Sequence, residues 1–160
     1  MAASSLHDLL NFEYHFETAA VTFLNSAVGI PVFRTVIEDN LTVPRLEIQL
    51  TVMNAMEPIA PRNGGASPTT LDYRAHQGVF IVRTTTDNAQ NQAGDHATYL
   101  SKARAALLAS ATNWDNTTLP YYDLKLLRPA SQFYQTDGDF NITQIDYDVI
   151  FEIRDSAWPD

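Results

Sequence analysis

The last quarter of the chain constrains the fold most. Ile145, Tyr147, Val149, Phe151 and Ile153 alternate with Asp146, Asp148, Glu152 and Arg154, interrupted only by Ile150. Successive side chains of a strand point to opposite faces, so this period of two predicts one apolar face and one charged face. Asp137-Gly138 precedes it, and Asp-Gly between β-prone runs is a strong hairpin signal. Phe133-Tyr134 falls on one arm and Phe140 to Arg154 on the other. Phe140 and Ile142 have the opposite parity, which predicts a β-bulge near Gln144.

The same alternation appears from Arg45 to Val52, with Leu46, Ile48, Leu50 and Val52 against Glu47, Gln49 and Thr51. That is the pattern of a half-buried antiparallel strand. Val32–Ile37 is a further β-rich run, closed by a turn at Glu38-Asp39-Asn40. Within Asp72–Thr85, Val79-Phe80-Ile81-Val82 is apolar on both faces, as in a central strand covered on both sides. Tyr121–Leu127 is another strand.

Two segments carry helical periodicity instead. Leu9, Phe12, Phe16, Ala20 and Phe23 recur every three or four residues and predict one helix from Ser5 to about Ala27. Ser5 caps it, Asp8 suits its dipole, and Gly29 with Ile30-Pro31 ends it. A second helix is predicted from Asp95, as N-cap, to about Ala111. The order is helix, two strands, long loop, strand, helix, three strands. It predicts an α+β fold, a single antiparallel β-sheet of about five to six strands with two helices packed on one face.

The 160 residues suit one domain, 1–160, in which residues 53–71 form a long loop. Pro58, Pro61, Pro68 and Asn63-Gly64-Gly65 break every pattern there, and a strand resumes directly afterwards. Asp87–Gly94 is a second, polar loop. With 45% hydrophobic and 18% charged residues the chain can build a core. No apolar run approaches a membrane span, and Met1–Ser5 has no basic segment, so neither a membrane nor a secretory leader is expected. No cysteine is present, which excludes disulfides and thiolate chemistry. The net charge of −9 disfavours ordinary nucleic-acid binding, which rests on Lys and Arg.

Catalytic and metal patterns do not assemble. His7, His15, His76 and His96 form no ligand pair at helical spacing, His7 and His15 being about 12 Å apart along a helix. Glu13 and Glu17 lie one turn apart on the first helix without a histidine partner, as on a solvated face or one paired with arginines. Asn63-Gly64-Gly65-Ala66-Ser67 lacks the Lys of a phosphate loop, and no G-x-S-x-G elbow is present. No catalytic residue, cofactor or metal is therefore assigned. Asp146, Asp148 and Glu152 stand out, since alternation puts them on one strand face at steps of about 7 Å. Such an acidic wall would repel phosphates and let DNA slide past uncaptured. Arginine outnumbers lysine eight to two, a composition suited to ion pairs within the fold or between copies.

The order of elements, with the ending Tyr147-Asp-Val-Ile-Phe-Glu-Ile-Arg-Asp-Ser-Ala-Trp-Pro159, resembles the tail-terminator (tail-completion) proteins of long-tailed bacteriophages across essentially the whole chain. The resemblance implies a non-enzymatic virion structural protein of tail or neck, present in the host cytoplasm during assembly. It implies a homo-oligomeric ring, a hexamer, on the last ring of the tail tube protein. The ring stops polymerisation and joins a head-completion or connector protein, with genomic DNA passing through without specific binding. The loops then supply interface candidates, Arg62, Asn63, Gly64 and Gly65 in one and Asp87 and Asn88 in the other. Asp146, Asp148 and Glu152 are the candidates for an acidic lumen. The alternative is a cone-shaped α+β ligand-binding or small enzymatic domain, its pocket lined by Phe12, Phe16, Phe23, Tyr147 and Phe151. That pocket would need a buried carboxylate or histidine, which no inward position of the strand reading supplies. Deleting residues 58–68 is expected to leave a cooperative thermal melt while impairing ring or tail assembly, and loss of the melt would assign the loop to the core.

Overall fold

The computed structural model describes residues 1–34, 42–56, 75–87, 93–113 and 119–159. Three α-helices and five strands follow one another as α1 (Leu6–Leu9), α2 (Phe12–Val28), β1 (Val32–Arg34), β2 (Arg45–Ala55), β3 (Ala75–Asp87), α3 (Ala93–Asn113), β4 (Tyr122–Asp137) and β5 (Phe140–Ile153). The strands form one sheet in the order β1-β2-β3-β5-β4. The architecture is the expected α+β one, with a difference at one edge: β1 runs parallel to β2, while all other pairs are antiparallel.

β5 organises the sheet. It pairs with β3 from Asp87↔Phe140 to Ala75↔Glu152 without a register shift, and with β4 along its other edge. The expected bulge near Gln144 is absent. Odd-numbered residues of β5 point inward throughout, so Asn141 and Thr143 are buried beside Ile145, Tyr147, Val149, Phe151 and Ile153. Phe140 and Ile142 break the hydropathy pattern without breaking the strand, because the inward face carries polar side chains at that end. The register shifts lie on β4, between Leu124 and Leu126 and between Pro129 and Ser131. They let one strand of sixteen residues run where two short ones were expected. The turn itself is the two-residue Gly138-Asp139, with Gly138 at φ 56°, as a Gly-first hairpin turn requires.

β2 also exceeds its expected length, running to Ala55, and Met56 N–H donates to Ala75 O. The long loop thus begins later than residue 53, and its remainder, 57–71, lies outside the described residues. At the β2 irregularity the two backbones approach closely, since a Cβ on Gly78 would sit 2.6 Å from Thr51 O. β3 is the central strand, as its apolar run predicts. Phe80 and Val82 are buried against the helices, whereas Val79 and Ile81 are only half-buried on the opposite face.

The single N-terminal helix is two. Ser5 Oγ accepts from Asp8 N–H at 3.1 Å, as a cap should, but the chain turns at Leu10-Asn11 before α2 begins. At the turn two carbonyls gain side-chain partners: Tyr122 Oη donates to Leu9 O, and His15 Nε2 lies 2.9 Å from Asp8 O, which also accepts from Asn11 N–H at 3.2 Å. Both partners come from outside α1, so no local signal marks the break. Gly29 closes α2 in the left-handed region, φ 80°, as expected. α3 starts at Ala93, which places Asp95 in its first turn instead of at its cap.

α2 and α3 cover one face of the sheet. Phe12 meets Phe151 and Tyr122 at 5.3 and 5.5 Å between ring centres, and Phe16 meets Phe80 at 5.2 Å. His76 points inward too, between Phe12 at 4.5 Å and a stacked Phe151 at 5.6 Å. The strand reading had assigned no histidine to that face. Ala3 N–H donates to Ala157 O at 2.9 Å, joining the two ends of the described chain.

Glu17 is buried, contrary to a solvated helix face. Its carboxylate accepts from Arg34 Nε at 2.9 Å and from Leu50 N–H at 3.4 Å. Val32–Arg34 of β1 faces Leu46–Ile48, and Glu17 supplies an acceptor further along β2, at Leu50. Glu17→Ala is expected to lower stability by about 2 kcal/mol, because it strands a buried N–H and a half-buried guanidinium. Glu17→Gln keeps an acceptor oxygen and should cost less. Urea unfolding checks this, as a shift in midpoint at constant slope.

Candidate assembly surfaces

The outer face of the sheet carries the three acids singled out from the sequence. Strand parity brings Asp146, Asp148 and Glu152 onto it, in register with Ile81, Val79 and Ala75 of β3. β4, however, lays cations and a hydroxyl beside them. Arg128 Nε lies 3.4 Å from Asp148, Lys125 Nζ lies 3.6 Å from Glu152, and Ser131 Oγ donates to Asp146 at 3.1 Å. Gln144 Nε2 also donates to Asp146, at 2.9 Å. Exposed pairs of this kind add little to stability, but they decide the local field.

The pairing continues across the sheet. Glu47 holds Arg45 and, at 3.4 Å, Arg83, which in turn donates to Gln144 at 2.9 Å. Glu47 is buried as a result, although β2 parity alone puts it on the solvent side. Arg154 Nε donates to Asp123 at 2.7 Å. The outer face is therefore a mixed lattice in which carboxylates alternate with guanidinium and ammonium groups.

Among the loop candidates, Asp87 lies at the end of β3, paired with Phe140 beside the hairpin turn. Arg62, Asn63, Gly64, Gly65 and Asn88 lie outside the described residues. Of the aromatics proposed for a pocket, Phe12, Phe16 and Phe151 interlock with Phe80 and Tyr122 as the core and Phe23 packs against its edge, whereas Tyr147 does line a groove.

A groove lies between α3 and the inner face of the β4–β5 hairpin. Its apolar half, about 250 Å³, is lined by Leu107, Leu108, Leu127, Pro129, Ile145 and Tyr147. Its polar half, about 370 Å³, is lined by His96, Leu100, Tyr134, Asn141 and Thr143. Arg104 and Gln132 border both halves and are hydrogen-bonded to each other across the groove. Leu108 stands at the rim, 83% exposed. Burial raises the Tyr147 phenol above its ordinary range, and Arg104 partly offsets this.

His96 closes the polar half from below. Its Nδ1 lies 2.9 Å from Thr86 Oγ1 and its Nε2 2.8 Å from Thr143 Oγ1. In the neutral ring one nitrogen donates and the other accepts, and both hydroxyls can adapt. Tyr134 packs edge-on at 6.1 Å and donates to Asn141 Oδ1 at 2.9 Å. The histidine is thus committed to pinning α3 onto β3 and β5. No group of three or more histidines and carboxylates able to hold a metal occurs among the described residues.

Burial holds the His96 imidazole below its ordinary 6.5. Above that value neither state is protonated there; below it the unfolded chain takes up a proton that the folded chain resists. Stability is therefore expected to fall as pH drops from about 6.5 toward the depressed folded value, and His96→Gln should flatten that part of the profile. Thermal melts of both proteins between pH 7.5 and pH 5 measure the difference.

No protein-family model matches the sequence, and no curated protein does. Solved structures do share the fold. One is a chain from the virion of a native gene transfer agent particle, at 14% identity and a TM-score of 0.54, covering 94% of this chain and 99% of that one. A second solved chain reaches a TM-score of 0.48 at 13% identity, over 96% of this chain and 98% of its own. At such identities the likeness concerns the path of the backbone, and no residue role carries over.

Proposed function

We propose that this chain is a structural component of a phage-like virion and serves there as a tail terminator. Copies form a ring, a hexamer, on the last ring of the tail tube protein. The ring ends polymerisation and joins the tail to a head-completion or connector protein, and genomic DNA passes through it. The observation that carries the virion reading is the likeness, over nearly the full length of both chains, to a chain of a gene transfer agent virion. The terminator assignment rests further on the element order and the chain's ending. Arg62, Asn63, Gly64, Gly65, Asp87 and Asn88 are the proposed contacts to neighbouring copies or to the tube.

In this reading the outer sheet face lines the channel, and its acids act differently from a bare negative wall. Asp146, Asp148 and Glu152 hold Ser131, Arg128 and Lys125, so cations that would otherwise meet phosphates are masked. A passing duplex then meets a nearly balanced face, neither captured nor strongly excluded.

Two experiments test this. Purified chain added to polymerising tube protein should give short tubes with one extra ring at an end in electron micrographs, with a solution mass near six times 17.9 kDa for free rings. Unchanged tube growth with bare ends would count against a terminator. Separately, the triple variant Asp146→Asn, Asp148→Asn, Glu152→Gln should acquire salt-sensitive binding to a short DNA duplex, read by fluorescence anisotropy, that the parent lacks. Equal binding by the two would remove this face from the channel.

A further inference from the structure

β4 is an edge strand with an open side. It pairs with β5 alone, and no described strand lies beyond it. From Arg128 to Asp137 its residues are exposed, although Arg104 of α3 reaches Gln132. A row of unpaired backbone N–H and C=O groups is a template for another strand. Nearer its start the edge is disrupted by Pro129 and two register shifts, devices that discourage pairing. From Ser131 to Asp137 the register is regular, about 23 Å of strand free to pair.

The groove described above runs beside this edge, between it and α3. In a chain of net charge −9, no carboxylate is among the described residues lining either half, and Arg104 stands at the junction. One of its N–H groups goes to Gln132, and a guanidinium has four more to give. Toward one side of Arg104 lie Leu107, Leu127 and Tyr147, and exposed Leu108 offers an apolar rim. An edge strand next to a helix-walled groove is the geometry of strand addition: main-chain bonds give affinity, and alternate side chains drop into pockets.

We infer that the groove between α3 and the β4 edge is a docking site for an extended segment of a partner protein, one that carries a carboxylate and an apolar side chain two residues apart, on one strand face. The segment pairs with β4 along Ser131–Asp137. Its carboxylate meets Arg104, and the apolar side chain two residues away enters the pocket floored by Leu127 and Tyr147. Charge complementarity selects this occupant: among the described lining residues the only formal charge is that of Arg104, in a chain of net charge −9. The inference stands on the groove and the edge and does not depend on the terminator assignment.

The probe is a seven-residue peptide with glutamate and leucine at its third and fifth positions and serine elsewhere, acetylated and amidated, titrated into the ¹⁵N-labelled full chain. Expected are saturable shifts of amides in 131–137 and 100–108, and weaker binding of the leucine–lysine and serine–glutamate analogues. Arg104→Glu should lower affinity for the glutamate peptide by about tenfold or more, the loss of a charge-assisted hydrogen bond, and should favour the lysine peptide instead. Leu108→Ser should weaken all leucine peptides. Both side chains are exposed, and an unchanged thermal melt confirms that each variant folds. Equal affinity for the two charged peptides, an Arg104→Glu variant that binds as the parent does, or shifts confined to other surfaces would overturn the inference. So would concentration-dependent self-association that perturbs the same amides without peptide, which would make a second copy the occupant.

Discussion

Because β5 is paired along both edges over nearly all of its length, its parity decides where everything else goes. Every odd residue from Asn141 to Ile153 faces the helices, and every even one faces away. A shift of one residue would exchange the aromatic face for the charged one, so the unbroken register against β3 is a constraint on the whole sheet. Aromatic interlock then fixes α2: Phe12 and Phe16 reach Phe151 and Phe80, while Tyr122 closes the cluster from β4. At the other end, the polar residues Asn141 and Thr143 replace aromatics and receive His96 of α3. The same face therefore holds one helix by packing and the other by a hydrogen-bonded histidine.

This explains which parts of the fold could be read from the residues. Strand existence, the inward set of β5, the apolar set of β2 and the Gly29 stop all follow from period and from glycine's access to positive φ. Features governed by distant partners could not be read. The α1–α2 break depends on Tyr122 and His15 taking up carbonyls more than a helical turn away from them. The continuity of β4 depends on two bulges that absorb residues around Lys125 and Pro129, where a linear pattern shows only interruption. The bulge expected near Gln144 is absent because the apolar Phe140 and Ile142 lie on the outer face of an unbroken strand. In the fold, Phe140 lies under the Arg45 guanidinium on the outer side, 6.0 Å from its ring centre.

The charged residues show the same division. Their faces follow from alternation, but their partners come from neighbouring strands. Glu47 could be placed on the outer face, yet its burial arises from Arg45 and Arg83 folding over it. Glu17 could be placed on a helix, yet its partners, Leu50 N–H of β2 and Arg34 of β1, come to it only through the fold. In both cases the pairing partner is what turns an ordinary surface acid into part of the fold.

A net charge of −9 is a property of the chain, while recognition depends on where the charge is left unpaired. On the outer face, arginines and a lysine from β2, β3, β4 and the end of β5 lie against the acids, so the feature that stood out in the sequence is locally muted. The inner groove reverses the overall sign: no acid is among the described residues of its walls, and Arg104 sits between an apolar and a polar half. A segment that repels the rest of this surface through its own carboxylates would find one place where they are attracted. The same acidity that makes the chain unsticky in general thus sharpens the preference for that groove, since alternative docking positions for an anionic strand are disfavoured by like charge.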